Sequence, residues 1–143
     1  MSQHAKAIGY LIDRTQKRLK LSLTHRLQDA KAELTVEQWV VLDCIHRLKR
    51  PTQNEIADQT FKDAPNISRI LGHLVNKELI VRETDPEDRR RTYISLNAKG
   101  KAKFAEVEPV VQKIREKSWQ ELNEQDYDNF VRILNQVFKN LES

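Results

Sequence analysis

One cysteine, Cys44, stands in a chain of 143 residues, so neither an internal disulfide framework nor a thiolate metal cluster can form. Such usage fits a reducing compartment, and the cytoplasm is the expected location. Glycine (3) and proline (4) are scarce, which leaves few tight turns and points to a mainly helical protein. No segment approaches the roughly 18 consecutive apolar residues of a membrane span, and the opening "MSQHAKAIGYLIDRTQKR" has no uninterrupted apolar core of signal-peptide length. No membrane partner is expected. A nucleophile, a glycine-rich phosphate loop or a carboxylate pair with supporting context is also missing, so the chain is not expected to be an enzyme or to need a cofactor. Its four histidines, His4, His25, His46 and His73, share no zinc-ligand spacing, and Cys44 and His46 would lie about 200° apart on a helix. No metal site is expected.

What the chain does have is charge in an uneven distribution. Residues 49–103 carry 12 Lys/Arg against 8 Asp/Glu, while the remainder carries 13 of each. The whole surplus therefore sits in the middle third, as in a lobe that binds a polyanion and is held by a scaffold that need not be basic. A solvated basic face without a partner is the plainer alternative.

Apolar periodicity divides the chain into elements. Ile8, Leu11, Ile12, Leu19, Leu23 and Leu27 recur at three and four, predicting one long amphipathic helix whose other face is basic through Lys6, Arg14, Lys17, Arg18, Lys20 and Arg26. In "LTVEQWVVLDCIHRL", Thr35 and Gln38 form a capping box ahead of Trp39, Val40, Leu42, Ile45 and Leu48. This helix is apolar over much of its circumference and should lie centrally. Thr52 can cap a short helix with Glu55, and Asp63 can cap another with Pro65 in its first turn. Ile67, Ile70, Leu71, Leu74 and Val75 form the buried stripe of that second helix. Two short helices joined by about four residues make a helix-turn-helix pattern.

"LIVRET" and "RTYISL" then predict a β-hairpin with "DPED" in its turn, that is, a wing. Asn97 caps a helix whose stripe runs through Phe104, Val107, Val111 and Ile114, with Pro109 expected to kink it. A final helix repeats Tyr127, Phe130, Val131, Leu134, Val137, Phe138 and Leu141 at heptad-like spacing. The expected fold is mainly α with a small β-hairpin wing. Residues 34–103 make a winged helix-turn-helix lobe, and residues 1–33 and 104–143 make dimerisation helices. The terminal segments have complementary charge, seven positives and three negatives over 1–33 against five and eight over 104–143, which suits an isologous homodimer. An intrachain helical pair is the alternative.

A hairpin tip with Arg89, Arg90 and Arg91 can lie along a duplex and place a guanidinium in the minor groove. Immobilising a free arginine there costs about 2 kcal/mol of rotamer freedom, so Asp88, two residues from Arg90, would hold that side chain ready. On its own the run is also compatible with a mutually neutralising surface cluster.

With these stretches in place, the chain resembles the MarR family of winged-helix transcriptional regulators over nearly its whole length. "DPEDRRRTYISLNAKG" is similar to the family's wing signature, "LTVEQWVVLDCI" to its second helix, "QNEIADQT" to its first helix-turn-helix element, and "NISRILGHLVNKELIVRE" to its recognition helix. Trp39 resembles an aromatic of the SlyA-like branch. The chain departs from the pattern at Lys77-Glu78-Leu79, where Gly is usual at the middle position, at Leu96-Asn97 in place of Leu-Thr, and at "APN" in place of a Ser or Thr start. Glu78 would then have to take a left-handed cap geometry.

The resemblance implies a homodimer bound to a pseudo-palindromic double-stranded DNA operator, acting as a repressor. Its recognition helix would present Pro65, Asn66, Ser68, Arg69 and His73 to the major groove. Arg69 could read guanine and Asn66 adenine, or both could touch phosphate. The wing would contribute Asp88, Arg89, Arg90 and Arg91, of which Asp88 and Arg90 match the family's paired Asp and Arg. Thr52, Gln53 and Asn54 would meet the DNA backbone. The resemblance further implies a small aromatic or phenolic effector, for which Tyr10, Arg14 and Trp39 are candidates, although Trp39 reads more simply as core. Two alternatives stand beside this function: a winged-helix protein-interaction module without DNA binding, and a redox-sensing regulator working through Cys44, which in an apolar helix reads more simply as a buried thiol.

Overall fold

A computed structural model describes residues 7–142; His4 and Lys6 lie outside the described residues. Among the described residues six helices and a hairpin follow in the order α1 (Ile8–Asp29), α2 (Val36–Leu48), α3 (Gln53–Thr60), α4 (Ala64–Asn76), β1 (Ile80–Thr84), β2 (Thr92–Leu96), α5 (Ala98–Ser118) and α6 (Glu124–Asn140). The chain divides into two compact units, Met1–Val111 and Gln112–Ser143, with the division inside α5.

The first unit is a winged helix. α2 is its central element, buried through Trp39, Val41, Leu42, Cys44 and Ile45, and a capping box sets its start: the Gln38 N–H donates to Thr35 Oγ1 (3.1 Å) and the Thr35 N–H donates to Gln38 Oε1 (3.2 Å). Val41, Leu42, Cys44 and Ile45 of α2 are fully buried with Ile56 of α3, Ile67, Ile70, Leu71 and Leu74 of α4, and Ile94 of β2. Trp39 stacks on Phe104 of α5 with centroids 5.3 Å apart, and His46 stacks on the same ring at 3.7 Å. Val75, expected in the buried stripe of α4, is exposed instead. At about 100° per residue it points about 40° beyond Leu71, past the edge of the arc that Ile67, Ile70, Leu71 and Leu74 bury.

β1 and β2 pair antiparallel from Ile80↔Leu96 to Thr84↔Thr92. Thr52 adds an isolated bridge to Tyr93, and the Ile94 N–H donates to the Pro51 carbonyl at 2.8 Å. Pro51 thus ends α2's connection by docking it on the hairpin. α5 continues through Pro109 without a break in its helical assignment.

The shortage of glycine has a structural consequence. Among the described residues Lys31, Glu33, Lys49, Phe61, Glu78 and Glu121 have positive φ, and no glycine does. At the end of α4, Glu78 has φ 61°, its N–H donates to the Val75 carbonyl (2.9 Å), and the Leu79 N–H donates to the Leu74 carbonyl (3.1 Å). These two bonds define a Schellman cap, here built on a residue with a Cβ. Gly100 is needed for a different reason: a Cβ there would run into the Leu79 carbonyl.

The second unit closes around Trp119, whose ring meets Tyr127 edge-on at 5.7 Å and Phe130 at 5.7 Å. α6 begins with a capping box between Asn123 and Asp126. None of its residues is buried.

Candidate nucleic-acid interface

The wing is built by its own acidic residues. Asp85 Oδ1 accepts from the Glu87 N–H (2.9 Å) and Asp88 Oδ1 from the Arg90 N–H (3.1 Å), two Asx turns that shape the tip. The Asp85 N–H donates to the Arg91 carbonyl (2.9 Å) and the Arg91 N–H to the Asp88 carbonyl (3.0 Å), which closes the loop.

Asp88 Oδ1 also accepts from Arg90 Nε at 3.1 Å, while 92% of the Arg90 side chain stays open to solvent. The side-chain and backbone hydrogen bonds from Arg90 hold the Asp88 carboxyl below its ordinary value, so it stays charged as the pH falls. The arginine is oriented without being covered.

Arg91 is drawn to the same carboxylate, its Nε 4.0 Å from Asp88 Oδ2, and interaction with Tyr93 raises the pKa of its guanidinium above the ordinary value. Arg50 lies 4.3 Å over the Tyr93 ring, with its Nη2 bonded at 2.9 Å to Oε2 of Glu83, the cross-strand partner of Tyr93. Tyr93 and Arg50 did not stand out in the sequence. The alternation of β2 placed Tyr93 on a face, but only the hairpin register and the Thr52 bridge show which basic side chains surround it.

The structure brings the wing and α3 together. Thr52, Gln53, Asn54 and Glu55 line one groove of about 510 Å³ with Arg90, Arg91, Thr92 and Tyr93. Thr52 Oγ1 accepts from the Glu55 N–H (3.2 Å), capping α3 at the groove's floor. The site therefore combines helix N-terminal amides with two guanidinium groups, the chemistry of a phosphate cradle.

α4 presents Pro65, Asn66, Ser68, Arg69 and His73 to solvent, all exposed. Asp63 accepts from the Asn66 N–H (2.8 Å) and from Asn66 Nδ2 (3.2 Å), and Arg69 Nη2 donates to Asn66 Oδ1 and to Glu37 Oε2, each at 3.4 Å. The predicted base readers thus form one connected row rather than independent side chains.

The effector candidates are not assembled. Arg14 lies 5.4 Å over the exposed Tyr10 ring, but Trp39 is 2% exposed and packed flat on Phe104, so it serves the core. Cys44 is fully buried, and desolvation pushes its thiol above the ordinary value, which disfavours the reactive thiolate.

The comparisons agree with this geometry. A family model described as MarR family matches residues 32–91, the stretch from the end of α1 to the wing tip. The fold is similar to that of a cysteine-to-serine mutant of MarR from E. coli complexed with operator DNA, with 22% identity over 96% of this chain and 99% of that one and a TM-score of 0.82. Over its helix-turn-helix and wing the chain matches the MarR family, and it shares the fold of that family's regulators. It is also similar to the repressor CouR bound to a 23-mer DNA duplex, with 29% identity, 96% of both chains covered and a TM-score of 0.79. A protein from Listeria innocua Clip11262 shares 34% identity over 97% of this chain and 96% of its own, with a TM-score of 0.71. Among the described residues no helix is long and apolar enough to cross a membrane.

Proposed function

We propose that this protein is a MarR-family regulator that acts in the cytoplasm as a homodimer on a pseudo-palindromic duplex operator, as a repressor. The observation that carries the reading is the shared groove of α3 and the wing beside the exposed row on α4. Each protomer would seat backbone phosphate against Thr52, Gln53, Asn54 and Arg91. Arg90, held by Asp88, would enter the minor groove together with the flanking Arg89. α4 would offer Asn66, Ser68, Arg69 and His73 to the major groove, with Pro65 at the helix entry. MarR and CouR are themselves seen on DNA, which supports the same role here.

The dimer is supported by apolar side chains left open on both terminal segments. Ile8, Leu11, Ile12 and Leu19 are exposed on α1, as are Tyr127, Phe130, Ile133 and Leu141 on or just after α6. A dimer paired through these faces must hold its two α4 helices about 34 Å apart to meet successive major grooves. A small aromatic or phenolic effector would act by shifting that spacing, with Tyr10 and Arg14 as its candidate contacts.

Binding should weaken steeply with salt. Neutralising about 8 phosphates gives a log–log slope near −7. Arg90→Ala should weaken binding and reduce the slope by about 1 per protomer. Fluorescence anisotropy against duplexes recovered from a random pool tests both. Unchanged affinity of Arg90→Ala would instead favour a protein-interaction module.

A further inference from the structure

Arg69 lies in the second turn of α4, yet its guanidinium is not free in the unbound protein. It is bonded to Glu37 Oε2 at 3.4 Å, and Glu37 comes from the first turn of α2, 32 residues earlier in the chain. The same carboxylate takes Lys20 Nζ of α1 at 3.7 Å on its other oxygen. Three helices thus meet at one acid on the margin of the surface read as basic and DNA-facing. Partial burial works to raise the Glu37 carboxyl, but the Arg69 hydrogen bond and the fields of Lys62, Lys20 and Arg69 outweigh it and leave the group below its ordinary value. Glu37 is therefore charged at neutral pH.

An arginine held in this way reaches DNA only by exchanging partners. Exchange for a phosphate, even one gripped through two oxygens, replaces one exposed anion by another and is close to balanced. Exchange for the two acceptors on the major-groove edge of guanine fixes two parallel hydrogen bonds and runs forward. We propose that Glu37 is an autoinhibitory partner of Arg69: every complex that uses Arg69 must first give up this ion pair, so Glu37 sets the affinity of α4 for its duplex. The inference rests on the reading of α4 as the recognition helix. Lys20 and Lys62 keep the acid in place by supplying counter-charge from α1 and from the α3–α4 connection.

Glu37→Gln keeps the size and an acceptor but removes the charge. With a random-sequence duplex and a guanine-containing duplex recovered by selection as probes, anisotropy should show the variant binding the selected duplex about fivefold tighter. The random duplex should gain as much or less, because removing a competitor returns no more than the contact it competed with. In an Arg69→Ala background the same substitution should leave both affinities within about twofold of that background, as a double-mutant cycle requires if the effect passes through Arg69. No gain on the selected duplex, a gain on the random duplex alone, a gain that survives in the Arg69→Ala background, or a loss of affinity would each overturn the proposal while leaving DNA binding intact. Failure of the wild-type protein to bind either duplex would overturn the functional reading and this inference with it.

Discussion

At the residue scale, the three glycines illustrate how position decides what a missing side chain is worth. A Cβ at Gly72 meets nothing within 4 Å, whereas one at Gly100 collides with the Leu79 carbonyl. That carbonyl also accepts the Asn97 N–H at 3.2 Å, and Asn97 Oδ1 caps α5 through the Gly100 N–H at 2.8 Å. Gly72→Ala should therefore raise stability by about 0.5–1 kcal/mol, the ordinary helix preference for Ala. Gly100→Ala should lower it by about 1–3 kcal/mol through overpacking. Urea midpoints at constant slope measure both; a destabilised Gly72→Ala or a neutral Gly100→Ala would show that the packing around α4 or α5 is misjudged. Both glycines are plain in the sequence, but nothing there distinguishes the one facing open space from the one facing backbone.

At the scale of elements, caps account for most of what was legible in advance. Thr35 with Gln38, Thr52 with Glu55, Asp63 with Pro65, and Asn97 each predicted a helix start that the hydrogen bonds place there. Caps act over three residues, so local sequence suffices to place them. Helix ends were harder, because this chain puts Lys31, Phe61 and Glu78 in the left-handed region where glycine is usual. The departure at Glu78 did carry a signal, since Lys77-Glu78-Leu79 differs from the family's pattern at the one position where backbone geometry matters. Glu78→Gly should stabilise the protein by about 0.5–1 kcal/mol, since relief of the left-handed strain outweighs the loss of an exposed ion pair, here the contact with Lys99 at 3.6 Å. Glu78→Ala should give no such gain, because alanine keeps the Cβ. Equal thermal midpoints for the two variants would remove strain as the explanation.

At the scale of the whole molecule, the apolar residues of α1 and α6 that stay exposed in a single chain make the association of two copies the central prediction. Ile12→Asp or Ile133→Asp should shift sedimentation from dimer to monomer, and each should weaken duplex binding by about tenfold or more, since one protomer alone loses half of its contacts. A wild-type chain that sediments as a monomer at micromolar concentration would reject the dimer.

The wing, the order of the helices and the basic centre were readable in the sequence because each depends on residues close together: alternation over five positions, caps over three, and an arginine run beside two turn-forming aspartates. The contacts that give the candidate site its chemistry were not. Arg50 over Tyr93 joins residues far apart along the chain, Glu37 reaches Arg69 across 32 positions, and Thr52 meets Tyr93 of β2 through an isolated bridge. Hydrophobic period and capping decide where elements begin and which face turns inward. Which polar side chains then meet across those elements depends on helix rotation and hairpin register, and these are set only once the shared core of α2, α4 and β2 has packed.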